Sequence, residues 1–160
     1  MSRSGRINKR LVEADPIYGN RVVSRLINYV MKEGKKTVAA KQVYQALKHL
    51  GQSQKSDDPV ELLRQALDNI KPVMEVRSRR VGGAAYQVPM PVKGDRREAL
   101  ALRWLVDAAR AKSNSEYKTF AQKLAAELEA ALRSEGQAVQ KRDNTHKAAE
   151  ANKAFAHFRW

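Results

Sequence analysis

The three histidines, His49, His146 and His157, stand at spacings that match no HExxH or other metal-binding pattern, and cysteine is absent. Disulfides and cysteine-zinc sites are therefore excluded, and the composition fits a reducing compartment. Ser24, Ser78 and Ser113 have no histidine near them in sequence and no nucleophile elbow around them. Gly82-Gly83 lacks the lysine and helix that follow a P-loop. No cofactor, metal, small-molecule substrate or enzymatic activity is implied. What remains is charge. Lysine and arginine number 31 against 17 acids, a net +14, and so lopsided a balance implies a polyanionic partner, nucleic acid first and a membrane surface second.

That charge is gathered rather than spread. Residues 1–10 hold four bases (Arg3, Arg6, Lys9, Arg10) and no acid, and residues 71–97 hold seven bases against two acids. By contrast Ser56–Ile70 carries four acids and only Arg64. The pattern predicts a molecule with one charged side and one ordinary side. Arginine in such clusters suits RNA, because its planar fork makes paired bonds to phosphate and stacks on bases.

The elements that must position these cations start with an arm. Gly82-Gly83 sits between two runs rich in valine, tyrosine and arginine, a hairpin signal because both glycines tolerate positive φ in a tight turn. Pairing outward sets Val81 opposite Ala84, Arg79 opposite Tyr86 and Arg77 opposite Val88, with Arg80 on the other side. Tyr86 either stacks on a base or packs over Arg79 and its strand. No third strand is legible, and a lone ribbon is marginal in water. With strands of about eight residues it reaches about 25 Å from its base. The expectation is an arm over 72–91 that projects from a helical body and needs a partner surface.

The rest of the 160 residues reads as helix and suits one domain with its own core, 1–160, opened by a basic tail over 1–15 and closed by a helix and tail over 137–160. MSRSGRINKR is not followed by an apolar stretch, so no secretory signal is read, and no apolar run approaches the roughly 20 residues of a membrane span. Val22, Val23, Leu26, Ile27, Val30 and Met31 predict a first helix ended by Gly34. Lys35-Lys36 open a second, with Val38, Val43, Ala46, Leu47 and Leu50 facing inward and a loop from Gly51 to Lys55. Two lysines at a helix start oppose the macrodipole, which phosphate contact explains and a solvated face also accommodates. Asp58-Pro59 with Glu61 starts a third helix through Val60, Leu63, Ala66, Leu67 and Ile70, broken by Pro72.

Asp95 to Glu98 reads as a capping box for a fourth helix running to about Lys112, its core side Leu100, Trp104, Leu105 and Ala108. Arg96, Arg103 and Arg110 recur every seventh residue on a stripe that either extends the arm's basic surface or faces solvent. Ser113 with Glu116 offers a cap for a fifth helix through Tyr117, Phe120, Ala121, Leu124, Ala125, Leu128 and Leu132 to Gly136. A weakly amphipathic final helix, Val139 to about Lys153, carries Lys141, Arg142, His146 and Lys147. The chain closes on an aromatic run from Phe155 to Trp160.

Three of these stretches resemble small-subunit ribosomal protein seven. They are Asn20–Leu47 with Gly34-Lys35-Lys36 at its centre, the block PVMEVRSRRVGGAAYQVP from Pro72 to Pro89, and Ala99–Trp104; the ending Ala149–Trp160 is similar to the bacterial form. The resemblance covers essentially the whole chain. It implies a mainly α fold, a six-helix bundle-like body with a protruding two-stranded antiparallel β-ribbon arm between helices three and four. It further implies a cytoplasmic constituent of the small ribosomal subunit that binds the lower half of the 3′ major domain of small-subunit rRNA early in assembly and nucleates the head. Exit-site tRNA, departing mRNA and ribosomal proteins nine and eleven are the implied neighbours. Carried onto this sequence, the rRNA contacts are Arg3, Arg6, Lys9, Arg10, Lys35, Lys36, Arg77, Arg79, Arg96, Arg97, Arg103, Arg110 and Lys112. Arg80, Val81, Gly82 and Gly83 at the tip, with Lys141 and Arg142, face tRNA and mRNA.

Two other readings of the residues stand beside it. A DNA-bending architectural protein also extends basic β-arms, but those insert an apolar wedge and this tip is Gly82-Gly83. A protein scaffold whose arm docks on protein predicts binding that survives high salt, whereas phosphate-driven binding weakens steeply.

Overall fold

The computed structural model describes residues 11–159. The basic tail over residues 1–10 and Trp160 lie outside them. Six α-helices, a two-stranded ribbon and a closing 3-10 helix follow in order: α1 Arg21–Val30, α2 Lys36–Gln54, α3 Pro59–Ile70, β1 Met74–Val81, β2 Ala84–Pro91, α4 Gly94–Ala111, α5 Phe120–Leu132, α6 Gln137–Ala151 and a 3-10 turn Lys153–Phe158. The expected six-helix body with its ribbon between the third and fourth helices is therefore present.

Helix α1 begins where Asn20 Oδ1 accepts from Val22 N at 2.8 Å, a side-chain cap for one of the four unpaired N-terminal amides. It stops at Val30 rather than at Gly34. Glu33 and Gly34 both take left-handed backbone, φ 55° and 73°, so the chain turns over these two residues after the helix has closed. Helix α2 runs through the expected Gly51–Lys55 loop and ends on Lys55 in the left-handed conformation. Gly51 is tolerated inside it because Ser56 O would lie 3.3 Å from any added Cβ, a site only glycine fills easily. Val38, expected to face inward, is 57% exposed; the buried stripe is Ala39, Val43, Ala46, Leu47 and Leu50.

Asp58 caps α3 by accepting from Val60 N at 3.0 Å and Glu61 N at 3.2 Å. Its own amide goes to Ser56 Oγ, and Glu61 instead pairs with Arg64. The Asp95–Glu98 capping box does not form either. Lys93 is the N-cap of α4, and Asp95 and Glu98 reach across to Arg25 of α1 at 3.5 and 3.2 Å. The core side of α4 is Ala101, Leu102, Leu105, Val106, Ala108 and Ala109, while Trp104 packs at its edge. Helix α5 starts later than expected. Thr119 and Gln122 make a reciprocal capping box, and Ser113 to Tyr117 form a separate turn in which Ser113 Oγ accepts from Ser115 N.

The ribbon has the register read from its turn, with Val81 opposite Ala84, Arg79 opposite Tyr86 and Arg77 opposite Val88. One apolar core joins residues from all six helices, among them Leu26, Leu47, Leu67, Leu105, Leu128 and Val139. Two charged side chains are sunk into it: Glu127, fully buried, and Lys123. Glu127 Oε1 accepts from Ala138 N at 2.9 Å, and Lys112 Nζ lies 3.0 Å from Oε2 as an ion pair. Lys123 Nζ donates to Lys112 O at 2.5 Å and Asn114 Oδ1 at 2.6 Å. This bracket ties the end of α4, the middle of α5 and the start of α6, and each charge has partners, as burial demands.

Gly136 completes it. Its φ is +95°, and an added Cβ would lie 2.8 Å from Glu127 Oε1 and 3.0 Å from Ala130 Cβ. Gly136→Ala therefore combines left-handed strain with displacement of a buried carboxylate, and we expect a loss of about 2 kcal/mol or more, read as a fall in the urea midpoint with helicity retained. An unchanged midpoint would mean that the bracket does not hold α6.

Candidate nucleic-acid interface

The arm meets the body through one carboxylate. Glu75 on β1 is 7% exposed and accepts from Arg96 Nε at 2.9 Å and Nη2 at 2.8 Å, and from Arg77 Nε at 2.6 Å. The forked contact to Arg96, the first-turn arginine of α4, is the paired geometry that makes arginine–carboxylate bonds strong. Hydrogen bonds from Arg96, then from Arg77, hold the Glu75 carboxyl below the usual carboxylate range against the opposing effect of burial. The same bond raises Arg96. Two arginines share one acid, so the arm base stays net positive while its angle to α4 is fixed.

The chain's end grips the other side. Val73 N donates to His146 Nε2 at 2.9 Å, and Arg159 Nε donates to Pro89 O at 2.8 Å. The Tyr86 ring lies 5.3 Å from that of Phe155 and 5.2 Å from that of Phe158, tilted in both cases. Such tilted aromatic contacts contribute about 0.5–1.5 kcal/mol beyond burial. Tyr86 therefore packs in cis against the closing aromatic run. The partner surface expected for the ribbon is, from its base up to Tyr86 at the third pair from the turn, the chain's own C-terminal segment, and Val88 and Pro89 are buried.

Two arginines near the turn stay free, Arg79 opposite the clamped Tyr86 and Arg80 one pair nearer the turn. Arg79 and Arg80 are exposed beside exposed Gly82 and Gly83, and neither arginine has a protein partner among the described residues. Gly82 and Gly83 take φ of 58° and 89°, the left-handed pair the tight turn requires. Val81 is half-buried. Arg103 on α4 is likewise exposed and unpaired, as are Lys36 at the start of α2 and Lys141 on α6. Arg97 is half-buried, and its Nε is screened from solvent without a partner among the described residues.

Other sequence-predicted contacts are drawn into the body. Arg110 Nη2 donates to Tyr29 O and Val30 O at 3.4 and 3.2 Å, closing the C-terminal carbonyls of α1. Arg142 donates to Asn69 O at the end of α3 and pairs with Asp143. Lys112 is 19% exposed, held by Glu127 and lying over the Tyr117 ring. The heptad of Arg96, Arg103 and Arg110 is thus one free arginine between two that fasten elements together. Lys35 pairs with Glu33 at 2.7 Å in an exposed contact, which is worth little.

Ahead of α1, Tyr44 Oη donates to Asp15 Oδ1 at 2.7 Å, and Asp15 Oδ2 accepts from Ile17 N and Tyr18 N. That bond to Asp15 pushes the Tyr44 hydroxyl up to about 12. Leu11 and Lys36 line one hollow, so the residues that follow the basic tail are fastened next to the α2 lysines. Sequence reasoning missed Lys32, which shares a second hollow with Lys35 and Arg110, and Arg159, whose carbonyl partner lies 70 residues away. For Arg159 the unusual aromatic ending was the available signal; for Lys32 there was none beyond its place after α1. Among the described residues no group of histidine, aspartate and glutamate is placed to hold a metal, and no helix is long and apolar enough to cross a membrane.

Compared with known proteins, residues 2–153 match the family described as ribosomal protein S7p/S5e. A small ribosomal subunit protein uS7 from Xylella fastidiosa (strain M23) is 53% identical over 160 residues, the full length of both chains. Those of Moorella thermoacetica and Geotalea uraniireducens are 53% and 51% identical, again over the full length of both.

Because Glu75 is depressed in the folded state, its contribution to stability is present above the ordinary glutamate range and lost as pH falls through its folded value. Glu75→Gln should remove the part of the acid-side loss of stability that the carboxylate causes, and lower stability at neutral pH by about 1–3 kcal/mol. Thermal melts of both proteins from pH 7 to pH 3 check this; parallel curves would exclude Glu75 as the anchor.

Proposed function

The chain belongs to the ribosomal protein S7p/S5e family, and from that premise we propose how its charged surface is used. As a member it is a structural, non-enzymatic constituent of the small ribosomal subunit in the cytoplasm, with rRNA and the ribosome as partners. In our reading it acts as one RNA-binding domain over 1–160. It binds the lower half of the 3′ major domain of small-subunit rRNA early in assembly and nucleates the head. Arg3, Arg6, Lys9 and Arg10 of the tail, Lys35 and Lys36, Arg77 and Arg79 of the arm, and Arg96, Arg97, Arg103 and Arg110 of α4 meet the rRNA. Lys112 serves the buried bracket first and the RNA only through its position.

The tip, Arg80 to Gly83, with Lys141 and Arg142 behind it, faces exit-site tRNA and mRNA, and ribosomal proteins nine and eleven lie alongside. The observation that carries this reading is the contrast along the arm. Its base is clamped by Glu75, His146 and Arg159, while Arg79 and Arg80 at its end are exposed without a protein partner among the described residues. Holding unpaired cations at a fixed place away from the core lowers the ordering cost of binding a folded polyanion. Folded RNA offers phosphates and 2′-hydroxyls rather than a readable major groove, so shape and charge carry recognition.

Replacing Arg79 and Arg80 together by alanine should leave helicity and melting unchanged and weaken binding to a 3′ major domain fragment. The slope of log affinity against log salt should flatten by about 1.4–1.8, the loss of two phosphate contacts. Affinity that does not change, or wild-type binding that survives high salt, would point to a protein-docking arm instead.

A further inference from the structure

We propose that the hollow where the α1–α2 turn meets α4 and α5 seats an unpaired nucleobase of the bound RNA, with Val38 as its apolar contact and Lys32, Lys35 and Arg110 holding the flanking phosphates. This rests on the RNA-binding reading above and adds a subsite to it. The hollow measures about 280 Å³. That is just under the ~300–1,000 Å³ typical of small-ligand pockets, room for a base and part of its sugar.

Its chemistry is divided in the way a nucleotide is. Val30, Val38 and the Phe120 ring supply apolar surface, and the three cations stand among them. Val38 is 57% exposed, one of four large exposed apolar side chains among the described residues, and no packing partner explains a valine there. Phe120, the first residue of α5, is only partly buried. Arg110 is held in place by the α1 carbonyls of Tyr29 and Val30, so its guanidinium is set before any ligand arrives. Lys32 is exposed without a protein partner among the described residues, and Lys35 is engaged only by Glu33 at the surface.

Charge selects the occupant. A second copy of this chain would bring a net +14 to a positive rim, and the chain's own first ten residues carry four bases and no acid. An RNA strand laid on Lys35 and Lys36 brings phosphates to the rim and bases toward the hollow, and splayed bases are what proteins read in RNA.

The test places the photo-crosslinking residue p-benzoylphenylalanine at position 38, and in a control at position 79, and irradiates each protein bound to small-subunit rRNA. The proposal expects a crosslink from position 38 to one nucleotide that is unpaired in the rRNA. In parallel, Val38→Glu should weaken rRNA binding about tenfold, within the range for losing one stacked base, with an unchanged melting temperature. A crosslink to the N-terminal tail, to a paired nucleotide or to a protein overturns the subsite, as does Val38→Glu binding with wild-type affinity. If the wild type fails to bind rRNA at all, the RNA reading itself falls; if position 79 crosslinks and position 38 does not, only the subsite does.

Discussion

A ribbon of two strands has unpaired backbone along both edges and too little apolar surface to keep a fixed stance in water. In this protein the stance depends on the Glu75 carboxylate. Buried at the foot of β1, it cannot remain charged without donors, and the donors it takes are Arg96 on α4 and Arg77 on its own strand. The cost of burying one acid thereby becomes an orienting constraint, since the forked Arg96 contact fixes an angle as well as a distance. The C-terminal segment closes the opposite side through His146, Arg159 and the two phenylalanines on Tyr86. Without the clamp, Arg79 and Arg80 would sit on a hinge, and binding would carry the cost of ordering them.

The same economy governs the other cations. Arg25 spans from α1 to Asp95 and Glu98 on α4, Arg110 closes the end of α1, Arg142 closes the end of α3, Lys112 neutralises the buried Glu127, and Lys123 donates to Lys112 O and Asn114 Oδ1. A net charge of +14 is therefore not a count of binding groups. Part of it also fastens elements together, and the cations at the arm tip, at Arg103 and around the α1–α2 turn include those with no protein partner among the described residues.

Much of this was legible because it is local. The Gly82-Gly83 turn fixes the register, since a two-residue turn leaves only one pairing of its flanks, and Val23, Leu26, Leu47 and Leu67 declare their helices by period alone. What failed to read was set by distant partners. Asp95 and Glu98 have the spacing of a capping box, yet Arg25 lies nearer in space and the ion pairs win. Val38 stands five residues before Val43, off the stripe that Ala39, Val43, Ala46, Leu47 and Leu50 keep, so its apolar type and not its spacing suggested the core. Gly51 reads as a breaker, but the helix passes through it, and its missing Cβ leaves room for Ser56 O and Pro59 close by. Arg96 and Arg110 look identical to Arg103 in sequence; only Glu75 and the carbonyls of α1 separate them. Tyr86 invites two readings, a base stack or packing over Arg79, and the structure shows a third partner that neither named: the rings of Phe155 and Phe158 in the chain's last segment.

The shape of the tip also separates the readings of partner. Architectural proteins that kink a duplex with a β-arm typically insert an apolar wedge between base steps. Gly82 and Gly83 have no side chain to offer, and the ribbon's one aromatic, Tyr86, already packs against Phe155 and Phe158. What the tip does offer is backbone that can come close to a surface and two exposed arginines beside it. That combination favours a partner whose phosphates are already folded into a rigid contour, because such a partner needs contact along its surface rather than force upon its helix. A straight duplex presents that contour only along one axis; a compacted RNA presents it on several sides at once, and a body with cations at the arm, on α4 and beside the α1–α2 turn is built to meet several sides.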